Sequence, residues 1–300
     1  MNIHLNKQMN ILIVGLGLLG GSYAEALSDK GYRVAAITRS RDSVDYALER
    51  GWIAEGADFP DPRLIGNADL IVTALYPHIF VSWIEENQKY LKPGAVITDV
   101  TGVKECIVGK IQSLLRPDVE FIAAHPMAGR EVYGVRNADK RIFEGANYIV
   151  VPTEKNSQGA IELCEELGRE LGFADVSRLT PAAHDEMIAF LSQLTHCIAV
   201  SLMCANDTPG LEHYTGDSFR DLTRIARIND DMWSELFLLN RKALLKEMDA
   251  FKSAFNCLYT CILNDDREGM RKMMRCSTER RAGFDKPAAK PQTEIKKEVE

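Results

Sequence analysis

The residue best placed for chemistry in this sequence is His125. The segment Ala123-Ala124-His125-Pro126-Met127-Ala128-Gly129 leaves an apolar run at its carboxyl end and enters a turn marked by Pro and Gly. Ligands of open α/β sheets bind beyond the carboxyl ends of strands, and a neutral imidazole there suits a general base. A turn histidine that only bonds backbone would look the same. The preceding apolar run ends in Asp99-Val100-Thr101-Gly102, which offers the Thr101 hydroxyl nearby. Farther on, Phe219-Arg220-Asp221-Leu222-Thr223-Arg224-Ile225-Ala226-Arg227 would, on a helix, set Asp221 beside Arg224 and put Arg220, Arg224 and Arg227 on one face. In a chain of net charge −7 that stripe suggests an anionic ligand, or else a solvated face with routine ion pairs. His196, within Leu191-Ser192-Gln193-Leu194-Thr195-His196, sits on an apolar stretch as a ligand contact or a satisfied core residue.

A second constellation lies near the N-terminus. Gly15-Leu16-Gly17-Leu18-Leu19-Gly20 follows the first apolar run and opens an amphipathic stretch. Gly15 permits a tight turn, Gly17 lets backbone approach a pyrophosphate, and Gly20 lets helix and strand pack closely. The helix start then offers free N–H groups and a partial positive charge to phosphates. A dinucleotide is the expected ligand. In NAD-binding versions an acid about 20 residues on bonds the ribose 2′-hydroxyl. Here that window reads Thr38-Arg39-Ser40-Arg41, with no acid. Two guanidiniums and two hydroxyls would welcome a 2′-phosphate, so NADP is the expected cofactor and NAD the alternative. A solvated basic loop would have the same composition.

The elements that must carry these groups follow from periodicity. Residues 10–14, 33–37, 69–75, 95–99, 120–124 and 148–151 are short β-branched runs, apolar almost throughout, as strands buried on both faces are. Helical stretches at 18–30, 77–91, 104–115 and 157–171 alternate with them, which predicts a doubly wound α/β half. From Thr180-Pro181 onward nothing reads as a strand. Residues 181–205 predict one long apolar helix, 217–228 a short one, and 232–264 a helix without Gly or Pro. Along the last, Leu244, Met248, Phe251, Phe255, Leu258 and Ile262 form a 4-3-4-3-4 seam. Thirty-three residues would span about 50 Å, which suits a subunit interface better than an internal core. The expected organisation is therefore a nucleotide-binding domain over 1–178, an all-α domain over 179–285 and a disordered tail over 286–300.

Composition bounds the class. Three hundred residues, 46 % hydrophobic and 26 % charged, are ordinary for a globular chain. A net charge of −7 argues against a broad nucleic-acid surface. No apolar run is expected to reach the ~20 residues of a membrane span, and the N-terminus lacks the apolar core of a signal peptide. Seven cysteines without a C-x-x-C pair suggest free thiols in a reducing, cytoplasmic setting, with no metal site expected.

Taken together, these segments resemble the prephenate/arogenate dehydrogenase family. The resemblance rests on Gly15-Leu16-Gly17-Leu18-Leu19-Gly20-Gly21-Ser22, Asp99-Val100-Thr101-Gly102-Val103-Lys104, His125-Pro126-Met127-Ala128-Gly129, Ser192-Gln193-Leu194-Thr195-His196, Phe219 to Ala226 and Met232-Trp233, in that order. It implies a Rossmann-type domain joined to an all-helical dimerisation domain, a homodimer, and oxidative decarboxylation of prephenate to 4-hydroxyphenylpyruvate in tyrosine synthesis. Arogenate is the alternative substrate. By this resemblance His125 takes the proton of the ring hydroxyl, Arg224 clamps a substrate carboxylate and His196 contacts the substrate. Arg130, Glu131 and Asp221 would form a polar network gating the pocket.

The sequence departs from the family in three places. Where many relatives carry a serine that bonds the substrate hydroxyl, this chain has Gly102 beside Thr101, so that role is expected of Thr101. Gln193 stands where some relatives have a second histidine, and Asn229 where aspartate is common. Nothing after residue 285 reads as the regulatory domain many relatives append, so any tyrosine feedback is expected at the active site. A β-hydroxyacid-type dehydrogenase would need a lysine on the interdomain helix, and residues 181–205 contain none. A non-catalytic NADP-binding protein is the remaining alternative, and it would need His125 and Arg224 to be dispensable.

Overall fold

The computed structural model describes residues 4–284, and the expected disordered tail lies outside the described residues. In chain order the α/β half comprises β1 (Asn10–Val14), α1 (Leu18–Asp29), β2 (Arg33–Ile37), α2 (Arg41–Glu49), β3 (Glu55–Ala57), α3 (Pro62–Asn67), β4 (Leu70–Thr73), α4 (Pro77–Asn87), β5 (Val96–Asp99), α5 (Glu105–Leu114), β6 (Glu120–Phe121), β7 (Ala123–Pro126), β8 (Asn147–Val151), α6 (Gln158–Leu171) and β9 (Asp175–Arg178). Six parallel strands form one sheet in the order β3-β2-β1-β4-β5-β6. That is the doubly wound order, in which the direction of strand addition reverses between β1 and β4 and opens a crevice at their carboxyl ends. Along β1, Ile11 and Ile13 enter one hydrophobic cluster while Leu12 and Val14 enter another. Both faces are covered, which is why the run is apolar throughout.

The stretch 120–124, expected as one strand, changes sheets at Ile122. The Ile122 N–H still reaches the Ile97 carbonyl at 2.9 Å, but β7 then pairs antiparallel with β8, in a three-stranded sheet completed by β9. Side chains make the switch. Asp99 accepts the Ala124 N–H at 3.0 Å and the Lys104 ammonium donates to the Ala124 carbonyl at 2.6 Å, so β7 is held by β5 without a backbone ladder. The short strands β3 and β9 were not expected, since neither carries a sustained apolar run.

Helices dominate after residue 180: α7 (Pro181–Ile188), a π-helical stretch at Ala189–Leu194, α8 (Thr195–Cys204), α9 (Asp217–Thr223) with a 3-10 turn at Arg224–Ala226, α10 (Asp230–Leu239), α11 (Arg241–Leu263) and α12 (Arg267–Ala282). Residues 181–204 are the continuous helix expected, widened in the middle by the π turn. Contrary to the expectation for apolar runs, Pro181–Cys204 is long and apolar enough to cross a membrane by length and composition, with a mean hydropathy of 1.7. One side of it buries His184, Asp185 and Gln193, while Met187, Phe190, Leu191 and Met203 are exposed. The helix expected over 232–264 is instead broken at Asn240 (φ −108°, ψ 26°). The buried Asn240 amide donates to the Asp185 carbonyl and to Gln193 Oε1, both at 2.8 Å, and Gln193 donates to the Leu236 carbonyl at 3.0 Å. These long-range bonds outweigh local helical preference.

One compact unit runs to Leu245, taking in both the sheets and α7–α10, and a second begins at Lys246. Of the predicted seam, Leu244 is buried, whereas Phe251, Phe255 and Ile262 are exposed. The second unit contains the remainder of α11 and α12, which is capped by Asp266 accepting the Gly269 N–H at 2.9 Å.

Candidate active site

The glycine turn between β1 and α1 has the shape a dinucleotide requires. Gly15 takes φ +99°, and a Cβ there would lie 2.4 Å from the Ala74 carbonyl oxygen. A Cβ on Gly20 would meet the Gly15 oxygen at 1.8 Å, so only glycine lets the helix start against the turn. Between them, a Cβ on Gly17 would meet nothing within 4 Å. The start of α1 has no side-chain cap, so Gly17 opens onto a cradle beside uncapped N–H groups. Within the turn, Leu16 is buried while Leu18 and Leu19 are half-buried. These residues fit a pyrophosphate.

At the end of β2, Thr38 donates its N–H to the Ala57 carbonyl. Ser40 caps α2 by accepting the Ser43 N–H at 3.2 Å. Arg41 pairs with Asp45 at 2.8 Å, while Arg39 is exposed and forms no ion pair among the described residues. Of the four residues expected to meet a 2′-phosphate, Arg39 is thus the uncommitted cation.

His125 lies on β7 with its ring half-buried. Its Nδ1 is 2.8 Å from Nε2 of His184, a fully buried residue of α7, and His184 Nδ1 is 2.7 Å from Asp185 Oδ1. Asp185 in turn accepts the backbone N–H groups of Lys104 (2.8 Å) and Glu105 (2.9 Å) at the start of α5. Burial first, then His184 and Lys104, hold His125 well below the ordinary imidazole range, so the ring is uncharged near neutral pH. Gly102 lies beside the ring: a Cβ there would come within ordinary contact distance of His125 Cε1, at 4.0 Å.

Thr101, expected to meet the substrate, has its hydroxyl bonded inside the protein. It is 4 % exposed, and its hydroxyl bonds Asp99, the Val103 carbonyl at 3.1 Å and the Lys104 ammonium at 3.1 Å. Lys104 and Asp99 themselves form an ion pair with no exposed side-chain surface, at 2.6 Å. All three ammonium hydrogens are used, on Asp99, Thr101 and Ala124. This buried knot holds both backbone polar groups of Ala124, and with them the backbone that leads into His125.

A second group gathers around His196. The π turn precedes it, and its Nδ1 lies 2.9 Å from the Ser192 carbonyl, so that nitrogen is the donor. The ring stacks on Trp233, with centroids 3.7 Å apart and planes 29° apart. Burial lowers the His196 pKa against the opposing bond to Ser192, with smaller contributions from Glu131 and Arg224. Arg224 makes an ion pair with Glu131, six residues after His125, and not with Asp221. The helical register fails because α9 stops at Thr223 and Arg224 begins a 3-10 turn. Arg220 bonds Asp217 at 2.7 Å, and Asp221 is exposed. Arg130 turns to Asp139 at 3.1 Å. Gln193, placed where some relatives have a histidine, is spent on the α10 junction.

Sequence reading missed His184 and Asp185, and it missed that Lys104 and Asp99 are a structural brace. The signal available was an adjacent His-Asp pair in the first turns of a largely apolar helix.

Comparison with known proteins follows the same division. The family model described as "Prephenate dehydrogenase, nucleotide-binding domain" matches residues 23–177, beginning just after the glycine turn. The one described as "Prephenate dehydrogenase, dimerization domain" matches residues 180–276. The chain is 29 % identical to prephenate dehydrogenase of Bacillus subtilis (strain 168) over 283 residues, 91 % of this chain and 76 % of that one. Its fold is similar to prephenate dehydrogenase from A. aeolicus in complex with hydroxyphenyl propionate and NAD+ (TM-score 0.84, 27 % identity, 92 % and 98 % covered). It is also similar to Synechocystis arogenate dehydrogenase (TM-score 0.79, 26 % identity, 92 % and 100 % covered). The chain belongs to the prephenate dehydrogenase family, whose members are nicotinamide-dependent oxidoreductases.

Proposed function

We propose that this protein oxidises and decarboxylates prephenate to 4-hydroxyphenylpyruvate and CO2. The observation that carries the reading is His125: an uncharged imidazole bonded to His184, on the strand that leads into the loop bearing the Glu131–Arg224 pair. His125 takes the proton of the ring hydroxyl. A nicotinamide dinucleotide held by the Gly15–Gly20 turn would supply the acceptor for the hydride leaving the same carbon. Arg224 holds a substrate carboxylate, which takes the place of Glu131 on the guanidinium fork. His196, propped by Trp233, turns its free Nε2 toward the substrate. Arg130 and Asp221 are assigned to the rim of the pocket, and Thr101 to bracing the backbone before His125 rather than to the substrate.

NADP is proposed as the preferred nucleotide because β2 ends without an acid and Arg39 is uncommitted. Gly15–Gly20 hold the pyrophosphate. A boundary between nucleotide-binding and helical domains at 178/179 is supported by family matches that end at residue 177 and resume at residue 180, the second running to residue 276. A homodimer is proposed through the helical region, since Phe190, Leu191, Phe251, Phe255 and Ile262 are exposed apolar residues in the span matched by a dimerisation domain. The polar groups buried along Pro181–Cys204 suit a protein partner for its apolar side better than lipid, and the seven cysteines are free thiols, in keeping with a cytoplasmic enzyme.

Reduced cofactor is followed at an absorbance specific to it, with prephenate and arogenate each supplied with NADP and NAD. Prephenate turnover is expected, and His125→Asn should lower it by about 10²–10⁴-fold while leaving cofactor affinity unchanged. A His125→Asn variant keeping a third of the activity would refute the base assignment. Turnover of arogenate alone would transfer the reading to that substrate.

A further inference from the structure

We propose that His184, held by Asp185, is a positioning residue: it fixes His125 as the Nδ1–H tautomer, so that the lone pair on Nε2 is the base. The inference deepens the proposed function and rests on His125 being that base. The order of donors follows from the network. Both oxygens of Asp185 accept backbone N–H groups, at 2.8 Å from Lys104 and 2.9 Å from Glu105, so this carboxyl group acts as an acceptor at the start of α5. At 2.7 Å from it, His184 Nδ1 must donate. A neutral His184 then has only a lone pair on Nε2, and His125 Nδ1, 2.8 Å away, must donate in turn. His125 Nε2 is left without a hydrogen.

The same chain serves after proton transfer. When Nε2 takes the substrate proton, His125 carries hydrogens on both nitrogens. Its Nδ1 hydrogen can pass to His184 Nε2, which keeps its own hydrogen on Nδ1 against Asp185. No proton is lost, and the positive charge moves toward a carboxylate. This matters because the groups facing the two rings are Asp185 on α7, Asp99 at the end of β5 and the buried cation Lys104 before α5. Lys104 acts on both rings, but only His184 has Asp185 and Asp99 to offset that cation.

Nitrogen-15 NMR of the histidine rings in the full-length protein tests the tautomer without substrate, the His125 signals being identified by their loss in His125→Asn. Nδ1–H is expected in the wild type and a mixture in His184→Phe. In kinetics, His184→Phe should lower kcat by about 10²–10³-fold with KM within about threefold. His184→Gln, whose amide oxygen can accept where Nε2 did, should recover at least about tenfold of that loss. A ring that is Nε2–H in the wild type overturns the proposal, as does a His184→Phe variant within about threefold of wild-type kcat. If His184→Phe does not fold, the wild-type spectrum and His184→Gln still decide. If wild-type protein turns over neither substrate, the proposed function fails, while the ring spectrum judges the tautomer separately.

Discussion

Replacing Lys104 by methionine removes the cation from a pair whose two side chains are wholly buried. Methionine fills most of the lysine volume, so the effect is electrostatic rather than a cavity. Asp99 is left with the N–H groups of Ala124 and Thr101 and the Thr101 hydroxyl, and the Ala124 carbonyl loses its 2.6 Å donor. Removing one partner of a buried pair costs about 3–5 kcal/mol. At about 2–4 °C per kcal/mol for a unit of this size, Tm should fall by about 6–20 °C, read by near-ultraviolet circular dichroism. Activity measured well below that Tm should also fall, by about tenfold in kcat, because Ala124 no longer fixes the backbone entering His125. In Asp99→Asn/Lys104→Met the amide oxygen introduced at position 99 still accepts Ala124 N–H and no buried charge remains. The double variant should therefore be more stable than Lys104→Met by about 1–3 kcal/mol, although it carries one more substitution. A Tm within about 3 °C of wild type for Lys104→Met, or additive losses in the double variant, would show that the pair is not the brace described.

Stability should also depend on pH through the histidines. His125, His184 and His196 are all held below the ordinary value of 6.5, chiefly by burial. The unfolded chain therefore binds more protons in that window, so their contribution is complete above about pH 6.5 and is lost as pH falls through the lowered folded-state values. His4, raised by Glu166, acts in the opposite direction but is fully exposed. The urea midpoint should drop between about pH 7 and pH 5, less steeply in His125→Asn; a flat profile would contradict the burial argument. For the cofactor, NADP should exceed NAD in kcat/KM, and Arg39→Ala should erase about tenfold of that preference, as one exposed charge-assisted contact would; wild-type preference for NAD would overturn the reading of the basic loop. Phe255→Glu, altering a side chain 60 % exposed on α11, should convert a dimer to monomer by analytical ultracentrifugation, and an unchanged mass would place the interface elsewhere.

The parallel sheet was legible where burial on both faces writes itself into composition. β1 and β2 have the limits expected, and the glycine turn sits at the switch point because turn, strand and helix are contiguous in the chain. Legibility fails where distant side chains set the backbone. Residues 120–124 read as one strand because nothing within them says that Asp99 and Lys104 will take both polar groups of Ala124. Residues 232–264 read as one helix because no local breaker marks Asn240, whose bonds go to Asp185 and Gln193 on a preceding helix. In both places the deciding partners are hydrogen-bonding groups far away in sequence.

The site shows the same limit and a way past it. His125 and Arg224 drew notice in the sequence because each lies near the end of an element, whereas His196 lies within a helix and was marked by the family resemblance. Asp221 was assigned to Arg224 on helical spacing, and a 3-10 turn gave that guanidinium to Glu131 instead. His184 was invisible to periodicity, since the polar run His184-Asp185-Glu186 near a helix start is readily taken as solvated. Yet His184 and Asp185 are consecutive, and consecutive helix residues lie about 100° apart, so one narrow polar stripe cannot hold both. Both are in fact buried, and leaving such groups buried and unpaired costs several kcal/mol. The pair therefore demanded donors and acceptors from elsewhere in the chain. The backbone start of α5 and a second imidazole are the two partners it found.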